Sequence, residues 1–116
     1  MTYEADCIFC KIVGGEFGTE FVAESEHGVA FRDLHPQAPV HLLVAPRRHL
    51  AALREVGPDD EAMIADLMRL AVTVAREAGV TAGGYRVLTN DGDEAGQTVF
   101  HLHFHVLGGR RLHELG

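Results

Sequence analysis

No run of about 18 apolar residues, the length a membrane-crossing helix needs, occurs in this 116-residue chain, so no segment is expected to span a membrane. Positive charge is scarce: 10 lysines and arginines stand against 17 aspartates and glutamates, a net charge of −7 with histidines neutral. Long nucleic acids are held through their phosphates by a basic face, so this balance argues against them as partners. A small phosphorylated ligand stays open, because local dipoles and histidines can handle one phosphate. The opening residues, Met1-Thr2-Tyr3-Glu4-Ala5-Asp6, are acidic and have neither the basic nor the apolar stretch of a secretory signal, so a cytoplasmic location is expected. Repeats, low-complexity tracts and linker-like segments are also missing, and the length suits one domain over residues 1–116. Cysteine is limited to Cys7 and Cys10. In a cytoplasmic chain that pair reads as metal ligands or free thiols rather than a structural disulfide. No βαβ unit surrounds it, which argues against a thioredoxin-like redox role.

What is present has clear periodicity. From Pro58 to Ala78 the apolar residues Met63, Ile64, Leu67, Leu70, Ala71 and Val74 recur at helical spacing, with Pro58 at the start, three acidic residues in the first turn and Gly79 beyond the end. This predicts one main helix packed on a core. Shorter apolar or alternating runs predict strands at 21–23, 29–31, 41–44, 85–88 and 99–107. Ser25-Glu26-His27-Gly28 reads as a hairpin connection, and 7–13 and 49–55 as short helical turns. The pattern is α+β: an antiparallel sheet with one main helix on a face.

Histidine is abundant, with eight copies. The run His101-Leu102-His103-Phe104-His105 alternates, and on a strand it sends the three imidazoles to one face and Leu102, Phe104 and Val106 into the core. Adjacent imidazoles cannot all be protonated cheaply, so they would be kept partly neutral or would stabilise an anion. A neutral imidazole can attack phosphorus, and an imidazolium can donate to phosphate oxygens. A metal site on the same face is the alternative. The nine-residue approach from Asn90 to Thr98 is longer than a tight hairpin needs; Gly96 permits close approach of backbone to ligand, and Gln97 and Thr98 can offer side-chain donors.

On the run His101-Leu102-His103-Phe104-His105-Val106-Leu107 the chain resembles the histidine-triad (HIT) superfamily, marked by His-φ-His-φ-His-φ-φ with φ apolar. Cys7 to Val13, Phe31 to His41, Pro46-Arg47-Arg48-His49 and Gly96-Gln97-Thr98-Val99 also resemble family segments, and Leu107-Gly108-Gly109-Arg110 is closest to the HINT-type branch of purine nucleoside phosphoramidases. The resemblance implies a HIT-like fold: a five-stranded antiparallel sheet with one main helix and short helical turns. It also implies a purine nucleotide hydrolase acting at the α-phosphate. His103 would be the nucleophile that forms a nucleotidyl-histidine. His105 would hold the phosphate with support from Gln97, Thr98 and Asn90, and His41 would stand behind the triad. Asp33, beside Leu34, would take the ribose hydroxyls, and Ile8, Phe9, Ile12 and Phe31 would line the base pocket, with Gly96 and Val99 nearby. The chemistry agrees, since a carboxylate suits a diol and an apolar slot suits a purine. His27, His35 and His113 have no implied role and are expected on the surface.

Several superfamily members with the cysteine pair complete a zinc site through two histidines, and by that resemblance Cys7, Cys10, His49 and His101 would bind a structural zinc. His101 would then serve as a metal ligand, although the alternation alone puts it among the catalytic histidines. The partners implied are a purine nucleoside monophosphate or nucleotide conjugate, and a second copy of the chain in a homodimer that joins main helix and sheet edge. Other readings are a dinucleoside polyphosphate hydrolase, which Thr98 keeps open, and a nucleotide-binding regulatory or scaffold protein. The nucleotidyltransferase branch replaces the last triad histidine by glutamine, so His105 disfavours it. One departure stands out: HINT-type proteins often carry a tryptophan near the C-terminus that shapes the leaving-group side, whereas this chain has none and its tail reads His113-Glu114-Leu115.

Overall fold

Three neighbouring strands sort their side chains onto two faces, and this sorting places the site. The computed structural model describes residues 3–115; Met1 and Thr2 of the acidic start, and Gly116 at the end of the expected 1–116 domain, lie outside the described residues. The strands are β1 (Ala23–Glu24), β2 (Gly28–Arg32), β3 (Val40–Pro46), β4 (Tyr85–Leu88) and β5 (Phe104–Gly108), all antiparallel, in the order β1-β2-β3-β5-β4. Two helices complete the fold, α1 (Ile8–Val13) and α2 (Glu61–Glu77). The α+β architecture is as expected.

One face packs on α2. Its helical stripe of Met63, Leu67, Leu70, Ala71, Val74 and Ala75 is buried against Ala30 of β2, Leu42 and Val44 of β3, and Phe104 and Val106 of β5. Burying each large side chain stabilises the fold by roughly 1.5–3 kcal/mol. The helix passes so close to β2 that a Cβ added at Gly28 would lie 2.5 Å from a Leu67 methyl. The opposite face takes the alternate residues, Val29 and Phe31 of β2 and Leu43 and Ala45 of β3, under Phe9 of α1. His41 and His105 share this second face by the same alternation.

The elements differ from the sequence expectation in four places. The main helix begins as a 3-10 turn over Pro58–Asp60 before α2 proper. The turn expected over 49–55 is a 3-10 turn at Leu53–Glu55 only. β1 lies at Ala23–Glu24, displaced from 21–23. The last strand begins at Phe104, five residues later than the alternation suggests. Its pairing with β3 stops at Val44↔Phe104, and β3 then ends at Pro46, which has no amide hydrogen to extend a ladder. Residues 99–103 therefore leave the sheet, and the Leu102 amide donates to Leu50 O at 2.6 Å instead. Among the described residues no helix is long and apolar enough to cross a membrane.

Candidate active site

The departure of 99–103 from the sheet divides the histidine run. His101 is fully buried and turns away from its neighbours toward α1 and His49. The one-face arrangement expected for all three histidines is thus corrected: only His103 and His105 line the cleft on the second sheet face, with ring centroids 5.0 Å apart.

Around His101 four donor atoms converge. Its Nδ1 lies 3.3 Å from Cys7 Sγ, 3.5 Å from Cys10 Sγ and 3.3 Å from His49 Nδ1, and Cys10 Sγ lies 3.3 Å from His49 Nδ1. Tetrahedral zinc with Zn–N near 2.0 Å and Zn–S near 2.3 Å requires edges of about 3.3 Å between nitrogens and about 3.6 Å between nitrogen and sulfur. The set fits such a metal ion. The far nitrogen of His101, Nε2, donates to Pro46 O at 3.0 Å, which leaves Nδ1 unprotonated toward the cluster in the neutral ring. Burial pushes the Cys10 thiol up. A bound cation would supply the charge that favours its thiolate.

The cleft itself encloses about 600 Å³. Ile8, Phe9 and Ile12 of α1 and Phe31 of β2 form an apolar wall; Asp33, Leu34 and His41 come from the end of β2, the loop and β3; Asn90, Gly96, Gln97, Thr98 and Val99 come from the loop before the histidine run. Phe9 meets Phe31 edge-on at 5.5 Å and His103 at 4.8 Å between centroids, so one side chain joins the apolar wall to the histidines. Every residue assigned above to nucleotide binding borders this cleft. Thr19, Arg32, Gln37 and Leu43 also line it and were missed, as does His35, an exposed residue at the rim. Leu43 was within reach, because it shares a face with His41 two positions away. His27 is half-buried, with its amide on Asp66, and His113 is exposed.

Gln97 departs from its expected part. Its carbonyl accepts from the Gly92 amide and its NH₂ donates to Ala51 O and Val99 O, so the side chain braces the loop around Gly96, whose φ is +92°. That leaves neither side-chain hydrogen for a phosphate. Thr98 is exposed at the cleft.

Hydrogen-bond partners assign the imidazole protons. The Gln37 amide donates to His41 Nδ1 at 2.9 Å. An amide only donates, so neutral His41 carries its hydrogen on Nε2. That hydrogen faces His105 Nδ1 at 2.8 Å, with Asp33 Oδ2 at 3.3 Å from the same nitrogen. His105 Nδ1 therefore accepts, and its Nε2 carries the hydrogen. His103 Nδ1 donates to His101 O at 2.6 Å, which leaves its Nε2 with a free lone pair. Asp33, His41 and His105 are close enough to suggest a second metal site. The Gln37 amide argues against it, because a metal on His41 Nε2 would need the hydrogen on Nδ1, where the amide already points. Burial holds all four imidazoles low: His101 and His105 fall to about 4, and His103 and His41 shift the same way. Desolvation is the leading cause in each; repulsion from neighbouring histidines adds to it at His101 and His105, while the Asp33 carboxylate opposes it at His41, His103 and His105.

A half-buried pair of imidazoles, one offering a lone pair and one a hydrogen, stands beside an apolar slot and a carboxylate, an arrangement that can supply a nucleophile and a hydrogen-bond donor together. Comparison with known proteins gives the class a name. The model of the HIT domain matches residues 15–112. A 13.2 kDa HIT-like protein of Azospirillum brasilense is 45% identical over 112 residues, 96% of this chain and 92% of the relative. A HIT family hydrolase from Clostridium thermocellum superposes with a TM-score of 0.92 at 39% identity, covering 97% of both chains. A HIT family hydrolase from Legionella pneumophila gives 0.88 at 42% identity, covering 91% of this chain and 95% of that one. The chain belongs to the HIT family, and the hydrolase names of these neighbours agree with the enzyme reading at that coarse level.

Proposed function

We propose that this chain hydrolyses purine nucleotide conjugates at the α-phosphate through a nucleotidyl-histidine intermediate, with nucleoside phosphoramidates of the HINT type as its substrates. The observation that carries the reading is the proton arrangement at His103, where the bond from Nδ1 to His101 O leaves a bare Nε2 on a ring that lines the cleft. Nε2 attacks phosphorus, the bond from phosphorus to the leaving nitrogen breaks, and the amine departs with a proton from cleft water. The hydroxide which that water becomes then attacks the same phosphorus, the bond to His103 breaks and its electron pair returns to Nε2, and a nucleoside monophosphate leaves. His105 donates through Nε2 to a phosphate oxygen, where charge grows during both displacements. Asp33 takes the ribose hydroxyls, and the purine lies against Ile8, Phe9, Ile12 and Phe31.

Zinc on Cys7, Cys10, His49 and His101 is structural in this reading. Four protein ligands leave no open position, so it would anchor α1 to the segment carrying His103 and activate no water. The exposed edge at β4 and the face of α2 serve a homodimer, and the cytoplasm is its location. The support for these last points is the strand order, which leaves β4 unpaired on one side among the described residues, and the composition.

Thr98, which lines the cleft, keeps a second reading open by resemblance, a dinucleoside polyphosphate hydrolase. The two separate when an adenosine phosphoramidate and a diadenosine polyphosphate are offered side by side. Faster turnover of the phosphoramidate is expected; faster turnover of the polyphosphate overturns the first reading. Tight purine-nucleotide binding without turnover of either would point to a binding or scaffold protein. His103→Ala should lower turnover about 10³-fold or more while nucleotide still binds.

A further inference from the structure

The loop that carries Gln37 is held from outside the cleft. Just past β5, the tail crosses Pro39 so closely that a Cβ at Gly109 would lie 2.9 Å from the Pro39 Cβ, and Gly109 adopts a φ of +97°. This crossing brings the exposed Arg110 over the loop, where its Nη2 donates to Gln37 O at 2.8 Å and its Nη1 to Arg111 O at 2.7 Å. A guanidinium is planar and always charged, and here it bridges two backbone carbonyls from two segments. On the other side of the same Cα, the Gln37 amide donates to His41 Nδ1.

We infer that Arg110 is a positioning residue for the phosphate-binding histidine, an assignment that rests on the function proposed above. The carbonyl and the amide of Gln37 belong to different peptide groups, so the influence is positional: Arg110 fixes the Cα between them. With the amide aimed at Nδ1, His41 keeps its hydrogen on Nε2 and gives it to His105 Nδ1 at 2.8 Å. His105 then presents Nε2–H to the cleft. If the loop drifts, His41 loses the donor at Nδ1, and only the more distant Asp33 carboxylate, 3.3 Å from Nε2, still favours the Nε2–H form, so the neutral ring can also place its hydrogen on Nδ1. His41 Nε2 would then accept rather than donate, His105 would carry its hydrogen on Nδ1, and the cleft would face a lone pair where an anionic phosphate oxygen binds. A neutral imidazole has two tautomers, and the bond at one nitrogen decides the other. Arg110 is not among the residues that line the cleft, and its effect travels through three hydrogen bonds.

The test is long-range ¹H–¹⁵N correlation of the histidine rings at neutral pH, in the intact protein and in Arg110→Ala, with steady-state hydrolysis of an adenosine phosphoramidate alongside. The unaltered protein should show His41 and His105 as single Nε2–H tautomers. Arg110→Ala should show both rings averaged between tautomers and kcat lowered about five- to twentyfold, with KM within about twofold. Arg110→Lys, which can still donate to Gln37 O, should recover most of both. Tautomers unchanged in Arg110→Ala overturn the inference, and so does kcat unchanged after the tautomers have shifted. If the unaltered protein turns over no nucleotide conjugate, the functional reading fails, while the ring spectra still decide whether Arg110 sets the tautomers.

Discussion

Truncating Phe9 to alanine should cost stability and nucleotide affinity together, because one ring joins α1, the apolar wall and His103. Phe9 is 7% exposed. An aromatic side chain buries roughly 150–250 Å², which at about 25 cal/mol per Å² is a gross transfer free energy of about 4–6 kcal/mol. Alanine retains about 1 kcal/mol of that through its methyl group. Losing the edge contacts to Phe31 and His103 adds roughly 0.5–1.5 kcal/mol each, offset in part because the unfolded chain already covers some of its apolar surface. The vacated space opens into the cleft, so water fills it and the separate cavity penalty is small. Phe9→Ala should therefore destabilise the protein by about 3–4 kcal/mol, and Phe9→Leu, which keeps most of the volume, by about 1–1.5 kcal/mol. Urea unfolding of both variants measures this. Titration with adenosine monophosphate should show affinity reduced about tenfold or more for Phe9→Ala and under about threefold for Phe9→Leu, since an aromatic wall facing a purine is worth about 1–3 kcal/mol. A Phe9→Ala variant less than about 1 kcal/mol destabilised, with unchanged affinity, would refute the packing account of α1 and the base slot together.

Removing the metal should be felt in two places. Protein purified without chelator should hold about one zinc per chain, and chelation or Cys10→Ser should lower both the melting temperature and kcat, because the His101 carbonyl orients His103; metal content well under one with unchanged stability would contradict this. The pH profile follows from burial. His105 stays neutral until about pH 4, so kcat/KM should lack an acid limb at the ordinary histidine value of 6.5. The unfolded chain takes up that proton at higher pH than the folded one, so the contribution of His105 to stability is complete above 6.5 and is lost as pH falls toward 4; a limb in kcat/KM at 6.5 would contradict the burial. Gly28→Ala should destabilise by about 1–3 kcal/mol, since the new methyl meets Leu67 and, at 3.0 Å, the Ala45 carbonyl; a variant as stable as the parent would contradict the close approach of α2 to β2.

Period made α2 legible, because it buries one stripe along its length, whereas β2 and β3, buried on both faces, and β4 were legible as short runs rich in apolar residues. The start of β5 was not legible, since His-Leu-His-Phe-His alternates equally well on a strand and on an extended segment that has left the sheet. What ends the ladder is Pro46, on another strand, together with the Leu50 carbonyl that captures Leu102. The same departure separates His101 from His103 and His105, so a pattern that suggests one site of three histidines folds into two sites sharing a backbone bond. The grouping of Cys7 and Cys10 with His49 and His101 crosses up to 94 residues and had no local signal apart from the family resemblance. Gln37 was invisible for another reason: its part is played by its amide and carbonyl, which every residue but proline possesses. Gln97 misled in the opposite sense, because a side chain that looks available for phosphate is taken up by three backbone groups.

In the proposed reaction phosphorus is attacked twice, first by His103 and then by water, and this order can be read from phosphorus itself. It is tested most directly by the stereochemical course of hydrolysis of an adenosine phosphorothioamidate of known configuration at phosphorus, in isotopically labelled water. Each in-line displacement inverts phosphorus, so two displacements give net retention. Net inversion would mean that water attacks the substrate directly, and His103 would not be the nucleophile.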